Sequence, residues 1–301
     1  MKEVYDVAII GAGPAGLTAA IYTSRYLLNT ILIGEIPGGT ISKAVEVCNF
    51  PTQNNIAGFE LTKQLISHLK ELKGEIKQEK VDEIKKEKEF IIKTKKSEYK
   101  AKKIILAIGT EKRKLNIPGE KEFLGKGVSY CATCDAGFFK DKEVAVIGGS
   151  NAALTAALLL SKYSKNVNII YRKNKFTRAE PAWKKQVEEN NKIKSIFNTN
   201  IKEIKGKSKV ESVILDSGKE LKSDGVFIEI GSLPDKKFSE QLGLKTEKDF
   251  IKVNKKQETS IKGIFAAGDI TNNPLKQVIT ACAEGAIAAN SAYEELQREK
   301  E

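Results

Sequence analysis

The sequence has one histidine and four cysteines among 301 residues, which leaves few ligands for a metal site. A structural zinc site takes four nitrogen, sulfur or oxygen ligands, usually from two close pairs. Only Cys131 and Cys134 are close in sequence, whereas Cys48, Cys282 and His68 stand alone. We therefore expect no metal, and we interpret Cys48 and Cys282 as small buried side chains.

Long apolar runs are also lacking. No uncharged stretch reaches the roughly 18 residues that a membrane helix needs, and no basic leader precedes a separate apolar segment. The sequence therefore predicts a cytoplasmic protein with neither a membrane span nor a signal peptide. In that reducing compartment, four cysteines favour redox chemistry or metal binding over a disulfide scaffold.

No stretch interleaves basic residues with aromatic ones, as a nucleic-acid-binding groove would. The net charge of +12 comes from 51 basic and 39 acidic residues, and the lysines are scattered along the chain. We interpret the excess as a solvated surface and expect no nucleic-acid partner. With 41% hydrophobic and 30% charged residues, the composition is that of a globular protein large enough for two domains.

A strand, a glycine-rich turn and a helix follow one another near the start of the chain. Residues 4–10 are apolar, residues 11–16 read Gly-Ala-Gly-Pro-Ala-Gly, and a helical pattern follows. In this context the spacing is typical of a dinucleotide-binding unit, with glycines for the tight turn, the approach of a pyrophosphate and close helix packing. After a second strand over residues 30–33, Glu35 is our candidate for binding the adenosine ribose.

The same order recurs further along the chain. Residues 143–147 form a predicted strand, residues 148–153 a turn, residues 154–160 a helix and residues 167–171 a second strand. The chain therefore contains two similar dinucleotide-binding units. The nucleotide ligands that we predict in the second turn are Gly148, Gly149, Ser150, Asn151 and Ala152.

The C-terminal residues complete the first unit. Residues 263–269 form another buried strand that ends in Gly-Asp, and a helix rich in small residues follows. The expected fold class is α/β, with two Rossmann-like three-layer dinucleotide-binding domains, the second inserted into the first. The first domain comprises residues 1–111 and 238–301, and the second comprises residues 112–237.

Basic residues follow the second strand of the second unit. Arg172 and Lys173 come directly after it, Arg178 is close behind, and no acid appears before Glu180. An acidic residue here selects NAD, whereas basic residues accommodate the 2′-phosphate of NADP. Because arginine can grip a phosphate with two hydrogen bonds, we expect a preference for NADPH over NADH.

Cys131 and Cys134 are two residues apart, and Asp135 follows them directly. Such a pair can cycle between dithiol and disulfide through a mixed disulfide with another protein. Asp135 is placed to exchange a proton with the leaving thiolate as a general acid–base.

Together these motifs resemble those of the low-molecular-weight thioredoxin reductase family of FAD-dependent pyridine nucleotide-disulfide oxidoreductases. The resemblance covers nearly the whole chain and includes GAGPAG, PGG, ILAIGT, CATCD and GIFAAGD in the expected order. It implies FAD in the discontinuous domain, NADPH in the inserted one, a homodimer, and reduction of a thioredoxin- or glutaredoxin-like protein. It also implies that Cys134 faces the flavin and that Cys131 attacks the substrate. The FAD ligands expected from the motifs and the resemblance are Gly11, Gly13, Pro14, Ala15, Gly16, Glu35, Gly38, Gly39, Thr40, Asn49, Gly109, Thr110, Gly268, Asp269, Lys276, Gln277 and Val278.

Two departures from the family concern the electron donor. Ser150 stands where a third glycine is usual, and Tyr171-Arg172-Lys173 replaces a His-Arg-Arg run. They leave open a thioredoxin reductase-like flavoprotein that takes electrons from a non-nicotinamide donor, such as a reduced flavin-type carrier or a ferredoxin. A second alternative is a non-enzymatic FAD-binding partner protein, and the redox cysteine pair argues against it.

Overall fold

The structure is a computed structural model that describes residues 4–44 and 46–300. The chain forms two compact units, one from Met1–Glu111 and Pro234–Glu301 and the other from Lys112–Leu233. One unit is thus inserted into the other, as the sequence predicts. Within the described ranges, no helix is both long and apolar enough to cross a membrane.

The first unit is built on a parallel sheet. Strands β3, β2, β1 and β6 pair in parallel in that order, and β5 and β4 extend the sheet in antiparallel fashion. The carboxyl ends of β1, β2 and β6 therefore meet at one edge, which is where ligands bind in open α/β sheets. The elements of this segment are β1 (Val4–Ile10), α1 (Pro14–Arg25), β2 (Thr30–Ile33), α2 (Gly58–Glu71), β3 (Ile76–Lys77), β4 (Val81–Lys86), β5 (Phe90–Thr94), β6 (Glu98–Leu106) and β7 (Thr110–Lys112).

The inserted unit has three layers. Along β9, Val144 and Val146 face a core shared with a helix, whereas Ala145 and Ile147 face a core shared with a small antiparallel sheet. Strands β11, β10, β9, β15 and β8 pair in parallel, and β12, β13 and β14 form the antiparallel sheet. The elements are β8 (Val128–Ser129), α3 (Ala132–Asp135), β9 (Glu143–Ile147), α4 (Asn151–Ser161), β10 (Asn166–Ile170), α5 (Pro181–Glu188), β11 (Ile193–Ile196), β12 (Ile201–Gly206), β13 (Val210–Leu215), β14 (Glu220–Lys222) and β15 (Gly225–Ile228).

The C-terminal segment returns to the first sheet. Strand β19 pairs in parallel with β6, and Phe265 lies beside Ile105. Helix α7 packs closely on α1. The two helices are so close at Gly285 that a Cβ there would lie only 2.1 Å from the carbonyl oxygen of Ala15. The elements are β16 (Ser232–Pro234), α6 (Lys237–Gln241), β17 (Thr246–Glu247), β18 (Phe250–Ile251), β19 (Ile264–Ala266) and α7 (Val278–Arg298).

The chain re-enters the first unit after Leu233, earlier than the boundary after residue 237 that the sequence suggested. Helix α6 explains the difference, since it is bound to β4. The side chain of Gln241 accepts a hydrogen bond from the backbone N–H of Ile84 at 3.1 Å, and Lys237 Nζ lies 3.5 Å from the carbonyl oxygen of Val81.

Candidate active site

The turn between β1 and α1 has no room for side chains at two of its glycines. A Cβ at Gly11 would lie 2.2 Å from the carbonyl oxygen of Ala107, and one at Gly16 would lie 1.8 Å from that of Gly11. Gly13 differs, since a Cβ there would meet no atom within 4 Å. Pro14 begins α1 directly after it, so the open space lies at a helix N-terminus. Such a space suits a pyrophosphate, because the unpaired N–H groups of the helix favour an anion.

A second pair of glycines lies against this turn. The backbone N–H of Gly38 donates to the carbonyl oxygen of Ala12 at 2.7 Å, and a Cβ at Gly39 would lie 3.2 Å from Gly13 Cα. Gly38 and Gly39 have φ values of +84° and +56°, a region that glycine adopts without strain. Glu35 is exposed just beyond the end of β2. The structure thus brings both glycine motifs together.

Two predicted ligands that are far apart in sequence also meet. Asn49 Nδ2 donates to Gln277 Oε1 at 3.1 Å. Gln277 caps the N-terminus of α7 and exchanges hydrogen bonds with Thr280, and Val278 is the first residue of that helix. Thr40 is exposed.

The end of β6 leaves another open position. Gly109 has a φ of +67°, and a Cβ there would meet no atom within 4 Å. Thr110, which follows it, is half-buried and begins β7. The backbone at Gly109 is therefore open to a ligand.

Glu284 holds the turn after β19. Its buried carboxylate accepts hydrogen bonds from the backbone N–H of Gly268 at 2.7 Å and from the hydroxyl of Thr271 at 3.1 Å. Asp269 is the next residue in this turn, and burial raises the pKa of its carboxyl group against the opposing charge of Lys276. The bonds to Glu284 therefore fix the segment that carries Asp269.

The ammonium group of Lys276 is bound by atoms of the first unit. Nζ donates to the carbonyl oxygen of Thr271 and lies 4.6 Å from the centroid of the Phe250 ring. Burial lowers the pKa of Lys276, while the charges of Asp269 and Glu284 act in the opposite direction.

In the inserted unit, both glycines of the turn between β9 and α4 are enclosed. Gly148 has a φ of +141°, and a Cβ there would lie 2.2 Å from the carbonyl oxygen of Glu229. A Cβ at Gly149 would lie 2.7 Å from carbon atoms of the Tyr171 ring. Tyr171 is buried, and its hydroxyl lies 3.3 Å from Thr177 Oγ1. Gly149 is thus needed for the packing of an aromatic ring.

The basic segment after β10 folds back onto the start of α4. Ser150 and Arg178 form an isolated β-bridge, and the Ser150 side chain makes no capping hydrogen bond. Asn151, by contrast, is engaged by Glu180: Asn151 Nδ2 donates to the carboxylate at 2.6 Å, and its Oδ1 accepts from the Glu180 N–H at 2.7 Å. Ala152 follows in the first turn of the helix. The turn residues and the basic segment that the sequence predicts as NADPH ligands therefore lie together. The acidic side chain of Glu180, which was not predicted, lies among them.

The basic side chains of this segment are solvent-accessible. Arg172 and Lys173 are exposed, as is Arg178. Lys173 Nζ lies 3.4 Å from Thr177 Oγ1. Exposed guanidinium groups beside a helix N-terminus are suited to a phosphate.

Cys131 and Cys134 form a disulfide with their Cα atoms 5.3 Å apart. Cys131 is the N-cap of α3, and its sulfur accepts a hydrogen bond from the Cys134 N–H at 3.2 Å. Cys131 and Asp135 are half-buried, whereas Cys134 is exposed. Exposure alone therefore does not single out Cys131 as the attacking sulfur, and that assignment stays a prediction.

The arrangement of two dinucleotide turns and a redox disulfide agrees with comparisons to known proteins. The family model for pyridine nucleotide-disulphide oxidoreductases matches residues 5–285. This chain belongs to that family.

The relatives of this oxidoreductase are similar over their full lengths. The thioredoxin reductase of Bacillus subtilis is 42% identical over 98% of this chain and 97% of its own. The solved thioredoxin reductase of Lactococcus lactis is 37% identical, with a TM-score of 0.94 over 98% of this chain and 99% of that one. A ferredoxin-flavin thioredoxin reductase from Clostridium acetobutylicum is 35% identical, with a TM-score of 0.55 over 99% and 100% of the two chains.

The two remaining cysteines of the oxidoreductase differ in burial. Cys48 is exposed, so the expectation that it is buried is wrong. In the segment between β2 and α2 it is the preceding residue, Val47, that forms a bridge with Ile56 and buries its side chain. Cys282 is half-buried, and burial raises the pKa of its thiol. Within the part of the chain that the structure describes, no group of three or more His, Cys, Asp and Glu residues is placed to hold a metal ion.

Several polar residues at these sites were not predicted from the sequence. Glu284 and Glu120 are buried carboxylates in or near the two predicted sites, and Glu180 lies at the second turn. For Glu284 a signal exists, since it is a lone charge within the small-residue run 281–286. Glu120 has no comparable signal, because its partners are brought to it by an irregular loop.

Proposed function

We propose that this oxidoreductase is a thioredoxin-disulfide reductase that uses FAD and NADPH. The observation that carries the proposal is the Cys131–Cys134 disulfide at the start of α3, in the same unit as one dinucleotide turn. The other unit supplies a second such turn. Relatives named thioredoxin reductase match the chain over its full length, which supports the same activity here.

FAD is assigned to the first unit. The open face of Gly13, beside Gly39, would hold its pyrophosphate, and Glu35 would bind the adenosine ribose. The turn at Asp269 and the N-terminus of α7 at Gln277 bind the ribitol and the flavin edge, since a helix N-terminus favours negative charge. The discontinuous unit is accordingly the FAD-binding domain.

NADPH is assigned to the inserted unit. Arg172 and Arg178 would bind the 2′-phosphate, with a smaller contribution from Lys173. The Ser150 hydroxyl makes no capping bond and is available to donate to the pyrophosphate. The negative charge of Glu180 opposes phosphate binding here, because its carboxylate lies beside the start of the same helix, α4.

Bound NADPH and FAD would supply the two electrons that reduce the Cys131–Cys134 disulfide. Cys131 and Cys134 then hold two electrons as a dithiol. The Cys131 thiolate attacks the disulfide of the substrate protein: a bond forms between Cys131 and one substrate sulfur, and the other substrate sulfur leaves as a thiolate. The Cys134 thiolate next attacks Cys131, which restores the disulfide and releases the second substrate thiol.

Asp135 moves the protons of this exchange. It follows Cys134 directly and is half-buried, and its N–H donates to the Cys131 carbonyl oxygen at 3.2 Å. The carboxylic acid protonates the departing thiolate, and the carboxylate later takes a proton from the attacking thiol.

The substrate of this reaction is a thioredoxin- or glutaredoxin-like protein, and the enzyme acts in the cytoplasm as a homodimer. The homodimer rests on the resemblance to the thioredoxin reductase family, and Leu27 and Ile287 are exposed apolar side chains of the first unit that its interface would cover. Sedimentation analysis should give twice the mass of the chain, and a monomer at working concentration would contradict the dimer.

The activity is tested by following NADPH oxidation by the FAD-loaded protein. We expect oxidation that depends on added thioredoxin and that oxidised glutathione does not replace. Cys134→Ser should abolish it without loss of FAD. Oxidation that proceeds equally in Cys134→Ser would show that the disulfide is not on the electron path.

A further inference from the structure

Glu120 is a buried carboxylate close to the redox disulfide in sequence, and it has three hydrogen-bond donors. Its Oε1 accepts from the Leu115 N–H at 2.8 Å and from the Tyr130 hydroxyl at 2.5 Å, and its Oε2 accepts from the Asn116 N–H at 2.6 Å. Glu120 is 5% exposed. A buried carboxylate is tolerated when donors of this kind surround it.

Tyr130 connects this carboxylate to the redox centre, because it directly precedes Cys131. Burial, together with the hydrogen bond and charge of Glu120, raises the pKa of the Tyr130 hydroxyl. Tyr130 therefore remains protonated and donates its hydrogen bond throughout the working pH range.

Ser129 holds the backbone of Cys131 from the other direction. The Cys131 N–H donates to Ser129 Oγ at 2.9 Å, and the Ser129 hydroxyl lies 3.3 Å from the Cys131 carbonyl oxygen. Ser129 is buried and belongs to β8, which pairs with β15 in the sheet. The backbone before Cys131 is thus fixed by the sheet, and the side chain of Tyr130 is fixed by Glu120.

We propose that Glu120 is a positioning residue for Cys131 and that it acts through the Tyr130 hydroxyl. Attack on a disulfide needs the incoming sulfur aligned with the bond that breaks, and small displacements of a reacting atom cost much of the rate. The hydrogen bond to Glu120 keeps Tyr130 in one orientation while the sulfur of the next residue, Cys131, changes its bonding partner. The inference rests on the proposed thiol exchange at Cys131.

The first test separates thiol exchange from flavin reduction. Tyr130→Phe removes only the hydroxyl, and Glu120→Gln keeps the size of the side chain. We expect both to lower the rate of thioredoxin reduction by roughly ten- to a hundredfold. NADPH-driven reduction of ferricyanide, which needs only the flavin, should keep the wild-type rate at equal FAD content.

The matched control is Tyr99→Phe. The Tyr99 hydroxyl also donates to a glutamate, Glu79, at 3.1 Å, but in the first unit. The Tyr99→Phe variant should leave the rates of thioredoxin reduction and of ferricyanide reduction unchanged. The proposal is overturned if Tyr130→Phe slows both activities equally, if it slows neither, or if Tyr99→Phe gives the same selective loss.

A second test does not depend on thioredoxin. In a Cys134→Ser background, the Cys131 thiolate attacks Ellman's reagent, a small aromatic disulfide, forming a mixed disulfide and releasing one aromatic thiolate. Peptide mass spectrometry separates this product from that of Cys48, which is exposed. Adding Tyr130→Phe should slow modification of Cys131 but not of Cys48, and an unchanged rate would contradict the proposal. If the wild type fails with thioredoxin, the proposed function is wrong, whereas this test still decides the role of Tyr130.

Discussion

The backbone N–H of Gly268 donates a hydrogen bond to the carboxylate of Glu284 at 2.7 Å, and this bond fixes the turn that carries Asp269. Removing the acceptor leaves a buried N–H without its partner, which costs about 1–3 kcal/mol. We therefore expect Glu284→Ala to bind FAD about tenfold more weakly or worse.

The measurement is FAD retention during dialysis, followed by visible absorbance. Glu294→Gln is the control, since Glu294 lies in the same helix but bonds Asn290 and Lys256 instead. Full retention of FAD in Glu284→Ala would show that the turn does not depend on this bond.

The glycines of the first turn should respond differently to alanine. At Gly13 a Cβ has open space, whereas at Gly16 it would lie 1.8 Å from a backbone oxygen. Gly13→Ala should therefore keep the stability of the apoprotein while losing FAD affinity, and Gly16→Ala should unfold at lower denaturant concentration. Urea denaturation and FAD titration distinguish the two variants. Full FAD affinity in Gly13→Ala would contradict the placement of the pyrophosphate at Gly13.

Nucleotide selectivity should depend on the basic segment after β10. Losing a charged hydrogen bond costs about 1.5–3 kcal/mol, so Arg172→Ala should reduce the preference for NADPH over NADH by roughly tenfold or more. Anaerobic flavin bleaching with each nucleotide measures the ratio.

Lys162→Ala is the control for that experiment, because it removes one positive charge at the opposite end of α4. Equal reduction of the wild-type flavin by NADPH and NADH would contradict recognition of the 2′-phosphate. Reduction by neither would favour a non-nicotinamide donor.

The buried carboxyl group of Glu229, which pairs with the exposed Lys112, makes stability depend on pH. Burial raises the pKa of Glu229 above its ordinary value of 4.5, although Lys112 pulls it down. A carboxyl group with a raised pKa in the folded state stabilises the protein below its ordinary pKa, and this contribution is lost as the pH rises through the folded value. Relative to Glu229→Gln, the wild type should therefore lose unfolding free energy as the pH is raised from about 4.5.

Chemical denaturation at a series of pH values measures this difference. Glu188→Gln, at an exposed position of α5, is the control and should show a small dependence. A constant difference between the wild type and Glu229→Gln across the series would contradict the account.

Much of this fold could be predicted because its signals are local. The turn at residues 11–16 and the apolar runs at residues 104–108 and 264–267 are each defined by their own residues, and parallel sheets bury such runs on both faces. Successive side chains of a strand point to opposite faces of the sheet, so position along β9 determines which side chains face the helix and which face the small antiparallel sheet.

The contacts that complete the sites could not be predicted in the same way. Glu180 bonds Asn151 only because the segment after β10 folds back onto α4, and no spacing in the sequence encodes that loop. Cys48 was expected in a core by its residue type, yet its side chain is exposed while that of the preceding residue, Val47, is buried. Tertiary placement of loops thus determined what residue type could not.

The central claim is that electrons from NADPH reach a thioredoxin through the Cys131–Cys134 disulfide. The most direct measurement is to reduce the FAD-loaded protein anaerobically with NADPH, remove the excess nucleotide, add oxidised thioredoxin, and count new thioredoxin thiols. The account predicts thiols in proportion to the protein added and none with Cys131→Ser. With Cys134→Ser it predicts no more than the single thiol that is released when Cys131 forms its mixed disulfide, although the flavin of both variants is still reduced. Thioredoxin thiols formed equally by the variants, or a wild-type protein whose flavin is reduced without yielding any, would contradict it.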